Sequence, residues 1–117
     1  MKWGEAVGVL LAWGLWRATG TARPGAGLAR ALGSGDETNR TLAGMLLVRG
    51  GQRALPLLRG NLQAGLAVPM TLRVLGDIGG AEVLREIEPY RRSTDVAVSR
   101  AAADALRAAA HSAGTTA

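Results

Sequence analysis

The strongest constraint on this chain is an internal repeat of about 30 residues. Leu15, Leu46, Leu75 and Leu106 recur at spacings of 31, 29 and 31 residues. Four residues earlier, Leu11, Leu42, Thr71 and Ala102 keep those spacings. Eight earlier, Val7, Thr38, Ala67 and Val98 keep them again, mostly apolar or small. Residues three and four apart share a helical face, so each segment presents a stripe at the same phase. Gly20, Gly50-Gly51 and Gly79-Gly80 follow the first three segments. Glycine past a helix end takes the left-handed conformation that closes the last carbonyls. The unit is helix, glycine stop, second helix, polar turn.

Composition agrees with helices. The 22 Ala and 17 Leu outweigh two Ile, one Tyr and no Phe, so the strand-forming residue types are scarce. At 117 residues the chain has the length of one domain. The helices between the repeated segments are expected around Leu28–Leu32, Ala54–Leu58 and Ala81–Ile87, the first weakened by Gly25 and Gly27. Turns are expected at Gly33–Asp36, Asn61–Gly65 and Ser93–Asp95, with Asp36 and Asp95 as N-caps. Pro69 suits a first helical turn. Pro56 and Pro89 fall inside or late in their helices, which predicts bends or early ends.

Residues 71–87 and 95–106 resemble the HEAT-like repeats named after phycobilisome lyases, and Ala54-Leu-Pro-Leu-Leu58 resembles the first helix of such a repeat. The resemblance spans roughly residues 24–112, as three helix pairs. It implies an all-α fold, a right-handed α-solenoid of about three HEAT-like pairs preceded by an apolar N-terminal helix. It also implies an Asp–Arg ladder between repeats, matched by Asp36 with Arg40 and by Asp95 with Arg100; Gly65 and Pro69 stand there in the middle repeat, so that rung is expected to be missing. Lyases of this family attach bilins to cysteines of partner proteins, but no residue of this chain independently supports that activity. HEAT-like DNA glycosylases cradle a duplex on a basic concave face. By that likeness Arg40, Arg73, Arg100 and Arg107, on the second helices, form a candidate concave basic surface. The ladder would occupy two of them, and Tyr90 is the sole aromatic after Trp16, so base stacking is not provided for and nucleic acid is disfavoured.

The N-terminal segment carries three readings. Ala6–Trp16 is an uncharged run of 11 residues, short of the roughly 20 that cross a bilayer. In phase with the later stripes, residues 1–20 read as an apolar helix that is the second half of a repeat. They also read as a membrane-associated helix, with Trp3, Val7, Leu10, Leu11, Trp13, Leu15 and Trp16 as the partner or membrane contact within residues 3–18. Arg17, Arg23 and Arg30 then place the rest on the cytoplasmic side. A secretory signal would use Lys2 and a cleavage site at Gly20-Thr-Ala22, against which stand Glu5 and the tryptophans. Gly4, Gly8 and Ala12 form a small-residue stripe suited to close helix contact.

Chemistry is sparse. With no Cys and one His, disulfides, cysteine zinc sites and thiol catalysis are excluded. Glu82 and Glu86 beside Arg85, and Asp104 between Arg100 and Arg107, read as surface ion pairs. Asp77 lies in the Gly76–Gly80 turn, which lacks a Lys and follows a helix, unlike a phosphate loop. No Ser has a suitable His partner, because His111 falls in an Ala-rich tail expected to fray. The net charge of +5 comes from 13 Arg and one Lys spread along the chain. The sequence therefore reads as a cytoplasmic, non-catalytic adaptor, scaffold or assembly component for a protein partner, with no cofactor or metal. Residues 21–112 are the repeat domain and 113–117 a flexible tail. Leu11→Glu discriminates the N-terminal readings: an attached chain loses liposome binding and keeps its helical melt, whereas a solenoid helix loses stability instead.

Overall fold

The structure, a computed structural model, describes residues 8–10, 13 and 22–115. Among the described residues every regular element is helical. Six α-helices follow in order: α1 Ala22–Ala31, α2 Glu37–Gly50, α3 Leu55–Ala64, α4 Val68–Ile78, α5 Ala81–Ile87 and α6 Val96–Thr115. Short 3₁₀ turns, Gly51–Ala54 and Glu88–Arg92, join α2 to α3 and follow α5. The chain divides into two compact units, residues 1–67 and 68–117. At the boundary Ala67 has φ 48°, the sole non-glycine at positive φ among the described residues.

In the first unit α1 packs against α2 and α3. Leu28, Leu32, Ala43, Leu46, Leu47, Leu55 and Leu58 form its core. Asp36 starts α2: its Oδ1 accepts from the backbone N–H of Thr38 at 2.8 Å and of Asn39 at 3.3 Å, satisfying donors that the first helical turn leaves open. Gly51, at φ 57°, ends the helix as the glycine pair predicts. Pro56 is neither a bend nor an early end. The 3₁₀ turn consumes residues 51–54, so Pro56 falls in the first turn of α3, where its missing N–H costs nothing. The expected turn at Asn61–Gly65 starts later than the sequence suggests: Asn61–Ala64 is helical, and Gly65 at φ 68° closes α3. Asn61 is buried because its side-chain Nδ2 donates to the Ala29 carbonyl oxygen at 2.9 Å, tying the end of α1 to α3.

In the second unit α6 packs along α4 and also meets α5 and the 3₁₀ turn after it. Leu72, Val74, Leu75, Val83 and Ile87 are buried, as are Val98, Ala101, Ala102, Ala105 and Ala109 of α6. Gly79 and Gly80, at φ 76° and 102°, separate α4 from α5, and α5 ends at Ile87 just before Pro89, as expected. Asp95 repeats the Asp36 arrangement. Its Oδ1 accepts from Ala97 N–H at 2.9 Å and Val98 N–H at 3.4 Å, while Ser93 Oγ accepts from the Asp95 N–H, as Ser34 Oγ does for Asp36.

That shared cap corrects one expectation. Leu106 is half-buried, unlike Leu46 and Leu75. The capping aspartates are 59 residues apart, whereas Leu46 and Leu106 are 60 apart. One residue of slip turns a side chain about 100° around its helix. Counted from the cap, Leu46 corresponds to Ala105, Ala43 to Ala102 and Asn39 to Val98, and all six are buried. At the C-terminus helical backbone continues to Thr115.

Gly76 marks the tightest place in the α4–α6 contact. A Cβ there would lie 2.7 Å from the Ala105 Cα and 2.8 Å from its Cβ and carbonyl oxygen. Gly60, inside α3, has nothing within 4 Å of the same position. Both glycines are helical, so alanine gains about 1 kcal/mol of helix propensity at each. Gly60→Ala is expected to be stabilising by about that amount. Gly76→Ala meets backbone that cannot step aside, and overpacking of about 1–3 kcal/mol outweighs the gain. Paired thermal melts check the opposite signs. Leu75→Ala is expected to cost about 2–5 kcal/mol, from lost burial plus the cavity left behind, and more than Leu106→Ala does.

Candidate functional site

The packing of α4 on α6 leaves a cleft of about 540 Å³ along one edge of the contact. Helix α4 supplies Pro69, Met70 and Arg73; α6 supplies Ala97, Arg100, Ala101 and Asp104. In each helix these residues fall three and four apart, a single face. The neighbouring face holds Leu72, Leu75, Ala102 and Ala105 in the core. The cleft is therefore fixed by the same register that buries the core, and its shape follows from the close approach at Gly76.

Its chemistry is mixed. Pro69 and Met70 are half-buried and Ala101 is buried, giving an apolar floor. Arg73 and Arg100, one from each helix, are exposed and make no hydrogen bond or ion pair among the described residues. Asp104 at the rim is engaged by the Arg107 guanidinium one helical turn along α6. That pair is exposed, so it contributes little to stability. Two uncompensated guanidinium groups remain over the floor.

The four arginines expected on a common basic surface thus differ in role. Arg40 is half-buried and its Nη1 donates to the Ser34 carbonyl oxygen at 2.7 Å, bracing the turn ahead of α2. Arg107 is paired with Asp104, and Arg73 and Arg100 share the cleft. The rung expected between Asp95 and Arg100 is not formed. Asp95 gives its Oδ1 to the cap, and a residue five positions on points to another side of the helix.

Of the expected N-terminal contact, Val9 and its neighbours allow a partial account. Val9 is buried, Leu10 is 49 % exposed and Trp13 is half-buried. Gly8 and Val9 line a second cleft, of about 410 Å³, with Gly27, Arg30 and Ala31 of α1 and with Ser34, Gly35 and Asn39. Trp3, Val7, Leu11, Leu15 and Trp16 lie outside the described residues. No described helix is long and apolar enough to cross a membrane. A third, shallower depression on α2 is lined by Glu37, Thr38, Thr41, Leu42 and Met45.

Pro69 and Met70 were not singled out as surface residues by the repeat. The i, i+3/i+4 spacing of Met70 with Arg73, of Ala97 with Arg100, and of Arg100 with Asp104 is the signal that marks the cleft once the buried stripe is assigned. Among the described residues no group of three or more His, Cys, Asp or Glu is placed to hold a metal ion. No protein family, curated protein or solved structure matches this chain.

Because Arg73 and Arg100 are exposed and outside any bonding network, the double variant Arg73→Gln/Arg100→Gln is expected to melt within about 1 kcal/mol of the parent, measured by denaturant unfolding. A loss much larger than that would mean that the two guanidinium groups support the fold.

Proposed function

We propose that the chain is a non-catalytic protein-interaction module of the HEAT-like kind, serving as an adaptor, scaffold or assembly component in the cytoplasm. In this reading the helix pairs stack as a right-handed solenoid, and α4 and α6 offer their shared edge to a protein partner. Helical repeats use their side chains in two ways: one face stacks, and the other stays free along its length. The observation that supports the reading best is the cleft itself. It has a preformed apolar floor that includes Met70, Arg73 and Arg100 beside it, and at its rim an acid, Asp104, that meets Arg107. Protein interfaces are enriched in Arg and Met relative to the rest of a protein surface.

The experiment is site-specific photo-crosslinking in the native cell, with the reactive residue at Met70 or, as a control, at exposed Gln63 of α3. The reading expects a discrete protein adduct from Met70 that the control does not give. A nuclease-sensitive adduct from Met70 would instead support a nucleic-acid-binding role for the arginines, and no adduct from either position would contradict the proposal.

A further inference from the structure

We propose that the α4–α6 cleft recognises an acidic peptide segment of a partner protein, in which carboxylates flank an apolar side chain. This rests on the reading of the chain as an interaction module and names the chemistry of what it binds. The two cations that face the cleft without a partner, Arg73 and Arg100, come from different helices, and the apolar floor of Pro69, Met70 and Ala101 lies among them. Guanidinium presents a planar fork that matches a carboxylate with two parallel hydrogen bonds, and it is less strongly hydrated than an ammonium group. Met70 supplies an unbranched, polarizable surface that adapts to an apolar side chain.

Charge sets the class of occupant. The lining carries two arginines against one carboxylate, Asp104, which also meets Arg107, so the balance is positive and selects against basic segments. A nucleic acid backbone is the poorer match. It needs a track of cations at phosphate spacing, whereas this site offers two, set about an apolar floor. The lining residues also lack an aromatic on which a base could stack.

The test is selection of a random dodecapeptide library displayed on phage against the purified full chain, followed by fluorescence anisotropy with the enriched peptides. Enrichment of Asp and Glu around an apolar residue is expected, and Arg73→Gln/Arg100→Gln is expected to weaken those peptides about tenfold or more. Arg85→Gln/Arg92→Gln removes the same charge from exposed positions outside the cleft lining and is expected to leave binding nearly unchanged. Enrichment of peptides without carboxylates overturns this inference and leaves the interaction reading standing. Equal weakening by both double variants also overturns it, because diffuse positive charge would then suffice. Full displacement of the peptides by single-stranded DNA at moderate salt overturns it in favour of a nucleic-acid site. No enrichment of any peptide overturns both this inference and the interaction reading.

Discussion

Gly76 holds α4 and α6 close enough that the Ala105 backbone occupies the space a side chain would need. The rest of the second unit follows from that approach. Helix α6 can lie so near only because the residues it turns inward are small: Ala101, Ala102, Ala105 and Ala109 are buried, and the larger Leu106 is turned partly aside. A thin interface of this kind buries little area per residue, so it needs length, and α6 is the longest described helix, at 20 residues. The larger core residues Leu72, Leu75, Val83 and Ile87 come from the shorter helices opposite it. Small residues on one partner and large ones on the other let the layers interdigitate without voids.

The capping aspartates are the second determinant, because they decide where each helix begins and therefore which way every side chain faces. Asp36 and Asp95 each follow a serine by two residues, and each accepts from the N–H groups two and three positions on. The correspondence between the two helices is closest when counted from these caps. Both ends of α2 are fixed in this way, by Asp36 at the start and Gly51 at the finish. In the first unit a buried polar bond has a comparable role: Asn61 donates to the Ala29 carbonyl, which also accepts from the Leu32 N–H at the end of α1. The bond joins residues 32 positions apart and so specifies how α1 and α3 meet.

Much of this was legible in the sequence. The helix stops at Gly50-Gly51 and Gly79-Gly80, the caps at Asp36 and Asp95, and the span of Ala81–Ile87 could be read from residue type alone, because each rests on local backbone chemistry. What could not be read depended on partners distant in sequence. The repeat of leucines suggested that Leu106 is equivalent to Leu46 and Leu75, whereas the register counted from the caps turns Ala105 inward, against Gly76. Pro56 looked like a breaker because the intervening 3₁₀ turn is not marked by any residue. Asn61 looked like a turn residue because its buried partner lies 32 positions away. The cleft was visible only in part: two of its arginines stood among the candidates, but what distinguishes them from Arg40 and Arg107 is the absence of a bonding partner, which is a property of the folded chain. The apolar floor that accompanies them is likewise assembled by the pairing of α4 with α6.

The functional account depends on the same contact, because the cleft exists only if α4 and α6 meet in this register. The most direct measurement is the nuclear Overhauser effect between the Gly76 Hα protons and the Ala105 methyl group in the full chain in solution. A strong cross-peak is predicted, together with weaker contacts from Leu75 to Ala102 or Ala109. A strong cross-peak from Gly76 to Leu106, with none to Ala105, would mean that the leucine repeat rather than the capped register orients α6, and would contradict both the packing and the cleft built on it.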